Sequence, residues 1–142
     1  MTPFDGQSRE QLRSAYREAW RRRLAGLPLR PLEAQLADII AAHPEYQALI
    51  TEQDSLQRDF STSGGESNPY LHLGLHLALR EQIGTDRPAG IAAVHRQLLA
   101  RAADAHVVEH RMMEVLAQML AEAQRTTRPP QEALYLDRLR RL

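Results

Sequence analysis

Four prolines in this chain each head a run in which apolar residues recur every three or four positions. Pro31, Pro44, Pro69 and Pro88 stand at the start of such runs, never in the middle of one. Proline lacks the amide that a helix interior needs, but it suits the first turn, where that amide has no partner anyway. Between these marks the period is helical throughout. β-branched residues are sparse and apolar–polar alternation is absent. The chain therefore reads as all-α, a single-domain bundle of about six or seven helices spanning 1–142, with helix 69–83 central.

The first helix is expected over 9–25. Ser8 stands three before Gln11 as a capping box, and Gly26 follows as the stop. Its stripe is Leu12, Ala15, Tyr16, Ala19, Trp20 and Leu24. Further helices are expected over 32–43, 45–58, 69–83, 88–103, 105–126 and 131–141. Asn68-Pro69 caps and opens the fourth, and Gly84 closes it. Asp104 can cap the sixth, although the 88–126 stretch could also form one kinked helix, since its junction holds no proline or glycine. STSGGESN, 61–68, is the one clear loop. The last helix, EALYLDRLRRL, is amphipathic and can dock on its own domain, on a protein partner or on a second copy.

Composition removes several functions. The 142 residues include 18 basic and 18 acidic ones, so no basic face is offered to nucleic acid or to an anionic membrane. Arg21, Arg22 and Arg23 resemble a nucleic-acid patch, but they read better as a solvated face at a helix C-terminus. No lysine is present to form a Schiff base, and no cysteine to form a disulfide or thiolate ligand. No apolar run is long enough for a membrane span, and no signal peptide is evident. A cytoplasmic protein is the expectation, and any metal must be held by His, Asp, Glu or Met.

Two matched pairs of histidines carry the chemistry: His72 and His76 in NPYLHLGLHLALREQ, His106 and His110 in DAHVVEHRMMEV. At about 100° per residue, His76 falls about 40° from His72, on a face shared with Leu75, Leu79 and Ile83. His106 and His110 lie at the edge of their helix's apolar stripe. Glu109 falls inside that stripe, about 300° from His106. A carboxylate there is costly unless it meets a cation or a metal. The candidate metal ligands are thus His72, His76, His106, Glu109 and His110. His95 and Glu114 are further candidates. His43 reads as a helix-end residue with no role.

Three functions fit these residues. Side chains at i and i+4 lie one above the other, so each pair can reach one ion or two adjacent ones. Imidazoles with a carboxylate suit zinc, iron or manganese rather than calcium or magnesium. The Glu-x-x-His of ferritin-like bundles is absent. Alternatively, HVVEH matches the His-x-x-Glu-His of inverted zinc peptidases, where the glutamate activates water. What remains of the chain is too short for the domain such enzymes use. The third reading is a structural hydrogen-bond network in a non-enzymatic interaction or accessory module. Arg80 or Arg96 would then pair with Glu109. No dedicated catalytic residue is legible, and whether the chain is an enzyme stays open at this point.

NPYLHLGLHLALREQ, TDRPAGI, HVVEHRMMEVLAQML and AQR, with AWRRRLAGLPLRPLE and HPEYQAL nearer the start, resemble the small proteobacterial family catalogued as domain of unknown function 1841. The resemblance extends over almost the whole chain. It implies a cytoplasmic, single-domain bacterial protein, with His72, His76, His106, Glu109 and His110 in the same motif context. It supplies no activity.

Overall fold

The structure is a computed structural model, and it describes residues 8–56 and 68–142. Among these the protein is all-α. Seven α-helices run in order: α1 Arg9–Leu24, α2 Pro31–Ala41, α3 Pro44–Thr51, α4 Pro69–Thr85, α5 Ile91–Ala100, α6 Ala105–Thr126 and α7 Glu132–Arg140. A 3-10 turn, Gln53–Leu56, follows α3. The third helix, expected over 45–58, stops at Thr51 and gives way to the 3-10 turn; its last expected positions, 57–58, and most of the expected loop at 61–68 lie outside the described residues. Two compact units divide the chain, Met1–Leu73 and Gly74–Leu142, and α4 contributes its first turn to one and the rest of its length to the other.

In the first unit the capping box forms. The Gln11 amide donates to Ser8 Oγ at 3.2 Å, and the Ser8 amide to Gln11 Oε1 at 2.9 Å. Tyr16, Ala19 and Trp20 of α1, Leu36, Ile39 and Ile40 of α2, and Ile50 of α3 are buried. Gly26 has φ +69°, in the left-handed region that a Cβ disfavours, and there the chain leaves α1. The arginine run at the end of α1 finds partners within this unit. Arg21 pairs with Glu18, Arg22 donates to the Pro28 carbonyl, and Arg23 pairs with Asp38. Deeper in, Arg13 is buried and donates to the Ser55 carbonyl at 3.0 Å, with its guanidinium over the Tyr70 ring. Arg17 donates to the carbonyls of Ile50 and Glu52. These guanidiniums add donors to carbonyls at the end of α3 and in the 3-10 turn.

The second unit has one apolar core. Leu79 of α4, Ile91, Val94 and Leu98 of α5, Met112, Leu116 and Met119 of α6, and Tyr135, Leu136 and Leu139 of α7 all belong to it. The C-terminal helix thus docks on its own unit, and the Tyr135 hydroxyl donates to Gln82 Oε1 at 2.7 Å. Burial pushes the Tyr135 phenol well above its ordinary pKa, so it remains a donor.

Several boundaries differ from expectation. Gly84 does not end α4, which runs to Thr85. A single glycine costs a helix about 1 kcal/mol, less than tertiary packing supplies. α5 begins at Ile91, not 88, because the Asp86 carboxylate accepts from the amides of Gly90 and Ala92 at 3.1 and 3.0 Å and holds the preceding residues in a turn. α5 and α6 are separate helices. Asp104 caps α6 by accepting from the His106 amide at 2.8 Å.

Candidate functional site

In the first unit, Asn68 starts α4 by accepting the Tyr70 and Leu71 amides on its side-chain oxygen, at 3.0 and 3.2 Å. That places His72 one turn into the helix. Its ring meets His43, the residue at the join of α2 and α3. The two Nε2 atoms are 3.2 Å apart. His43 is buried, and its Nδ1 lies 2.7 Å from the Ile39 carbonyl. A carbonyl only accepts, so His43 Nδ1 carries the proton and, in the neutral ring, Nε2 carries the lone pair. Tyr46 stacks on His43 with 11° between ring planes. His43, which the sequence reads as a helix-end residue with no role, thus stands in a ring pair with His72. The signal was its place four residues after Ile39, which continues the buried stripe of α2. The proline behind it drew attention to the helix end instead.

In the second unit, His76 of α4 is fully buried and meets α6. Its Nδ1 lies 2.9 Å from Glu109 Oε1, and its Nε2 lies 3.1 Å from His110 Nε2. Arg80, one turn further along α4, grips the same carboxylate through Nε at 2.7 Å and Nη2 at 3.2 Å. The acid inside the apolar stripe of α6 therefore meets Arg80, while Arg96 is exposed. Burial works to raise the Glu109 pKa. The hydrogen bonds from His76 and Arg80, with the Arg80 charge, outweigh it and bring the group down to about 2. Glu109 is thus ionised at neutral pH, so His76 Nδ1 donates to it. In the neutral ring His76 Nε2 then presents a lone pair, as His43 Nε2 does.

His106 joins this group by ring contact. It stacks near-parallel to His76 with centroids 5.7 Å apart and tilts against His110 at 4.1 Å. His95 stands further off, on an open groove of about 320 Å³ that Arg80, Leu99 and Glu109 also line. Burial, the largest influence, lowers its pKa, and Arg96 adds to this while Glu109 opposes it. Glu114 is exposed on the outer face of α6 and joins neither group.

Of the residues singled out in the sequence, His76, His106, Glu109 and His110 come together in the second unit, and His72 pairs with His43 in the first. The close nitrogen pairs run between elements, not along one helix. His43, His72, His76 and His110 each offer a nitrogen placed to ligate an ion. In both anchored rings the other nitrogen is held by an oxygen, the second contact that metal-ligating histidines commonly make. Glu109 is poorly suited to activate water. A carboxylate with a pKa of about 2, held by a guanidinium on both oxygens, has little affinity for a proton at neutral pH.

An all-α chain with imidazole pairs anchored on α4 is the class of protein that the fold and these residues define. The chain belongs to the family described as Domain of unknown function (DUF1841), whose model matches residues 8–141. Searches of curated proteins and of solved structures return no match.

Proposed function

We propose that the paired histidines of α4 and their partners bind a transition metal ion, of the zinc, iron or manganese kind. The observation that supports it is the repeated nitrogen pair. Two ligands each about 2.0 Å from a tetrahedral ion stand about 3.3 Å apart. The Nε2 separations are 3.2 Å for His43–His72 and 3.1 Å for His76–His110. His43 and His76 already direct a lone pair into that space. An ion needs only to displace a proton from Nε2 of His72 and His110. His106 is the nearest further ligand on α6. The balanced charge supports no nucleic-acid role, and among the described residues no helix is long and apolar enough to cross a membrane. The reading takes residues 1–142 as one cytoplasmic helical domain.

One observation favours a second reading. Arg80 satisfies Glu109, so the half-buried acid demands no ion, and the same short separations suit N–H···N hydrogen bonds donated by His72 and His110. The cluster is then a structural network in an accessory module that acts through a protein partner or a second copy.

Uptake separates the two. Untagged protein, stripped with chelator and dialysed against zinc, should retain at least one ion per chain by elemental mass spectrometry. His76→Ala should retain less metal than the wild type, by the ion of the His76–His110 pair, while keeping its helical circular dichroism. Substoichiometric metal in the wild-type chain overturns the metal reading and leaves the network.

A further inference from the structure

We propose that Arg80 decides which metal the His76–His110 pair accepts, by holding Glu109 out of the coordination sphere; this rests on the metal reading above. Glu109 stands next to His110 in sequence and touches His76 at Nδ1, the ring nitrogen opposite the one that faces His110. It is fully engaged. Oε1 accepts from Arg80 Nε at 2.7 Å and from His76 Nδ1 at 2.9 Å, and Oε2 accepts from Arg80 Nη2 at 3.2 Å. The guanidinium fork matches the two carboxylate oxygens, which a point charge does not.

Two consequences follow. The carboxylate acts behind His76, fixing its tautomer and orientation, and Arg80 offsets its negative charge. The donors left facing the ion are imidazole nitrogens. Such a set suits zinc, copper and nickel, whereas manganese prefers carboxylate and water oxygens. Arg80 thereby moves the expectation away from manganese and toward the nitrogen-preferring ions.

The device can be taken apart. The Arg80–Glu109 pair lines an open groove with His95, Leu99 and Ala105, so neither partner is closed in on that side. Arg80→Met keeps an unbranched chain and removes the fork. Glu109 is then a partly buried anion with His76 as its remaining partner, and a bound ion becomes its natural counter-charge.

Competition dialysis of zinc against manganese measures the effect. Arg80→Met should raise manganese retention relative to zinc about tenfold or more. The double variant Arg80→Met/Glu109→Gln should return the ratio to the wild-type value. Glu109→Gln alone should weaken zinc binding about 10–100-fold, as loss of a carboxylate behind a ligating histidine typically does, without raising manganese. If Arg80→Met does not fold by circular dichroism, Arg80→Lys serves instead, with a smaller shift in the same direction. An unchanged ratio in the folded arginine variant, or a shifted ratio that persists in the double variant, overturns the proposal. Wild-type protein that binds zinc while the ratio stays fixed sinks this inference alone. Wild-type protein that retains no metal sinks the metal reading, and this inference with it.

Discussion

The two units each hold one imidazole pair, alike in geometry and different in what stands behind it. In the first, a neutral backbone carbonyl anchors His43, and a tyrosine ring covers it. In the second, an ionised carboxylate anchors His76 and is itself gripped by Arg80. A carbonyl is neutral and cannot itself lose or gain a proton in this range. A half-buried carboxylate anchors a ring only while it stays charged and paired. The first anchor is therefore a fixed neutral acceptor, and the second can be tuned and broken.

The largest expected effect tests whether the regions are independent at all. Gly74→Pro would interrupt α4 at the boundary between the units, removing a helical hydrogen bond and crowding the preceding turn, at about 3 kcal/mol or more. Because α4 belongs to both units, the fluorescence of Trp20, the one tryptophan and a buried residue of the first unit, should shift at the same urea concentration as the overall helical signal. A Trp20 transition that stays at its wild-type midpoint while much of the helical signal is lost earlier would make the units separate folding bodies.

Next in size is the cost of the two anchors. Arg80→Ala leaves a carboxylate partly buried with one donor fewer, and about 2–3 kcal/mol should be lost, below the value for a fully buried pair because Arg80 is a third exposed. Removing only the Ile39 contact is not feasible by side-chain change. His43→Gln is the nearest comparison, and about 1–2 kcal/mol should be lost, since glutamine can donate to the same carbonyl. Equal losses in urea unfolding would erase the distinction between a charged and a neutral anchor.

An effect of similar size to the anchors is on acid stability. Glu109 has a folded pKa of about 2, below the ordinary carboxylate value of about 4.3. Its contribution is therefore complete above that ordinary value and is lost as the pH falls through the folded one. Relative to Glu109→Gln, the wild type should lose stability steadily from about pH 5 toward pH 2. Parallel curves for the two proteins would mean that Glu109 is not held as the geometry indicates.

Much of the helix pattern was legible because capping and proline chemistry are local. α6 runs over 105–126, the expected residues, since Asp104 and the apolar period both lie within a few positions of its start. α5 was misplaced at its start because the carboxylate of Asp86 reaches four and six residues ahead. Arg80 on α4 and Arg96 on α5 are equal candidates for Glu109 in the sequence, because nothing local says which of the two helices brings its arginine to α6. His43 was passed over because its partner, His72, lies 29 positions away in the chain.

By itself, then, the sequence determined an all-α chain, where most of its helices begin to within a residue, and which faces carry histidine and acid. These follow from backbone sterics, helical period and burial, all of which act over a turn or two. Only the tertiary structure decided that His43 meets His72, that His76 meets His110, and that Glu109 faces an arginine. Those choices depend on which helices pack together, and side chains distant in sequence become neighbours only when the whole apolar surface has been buried.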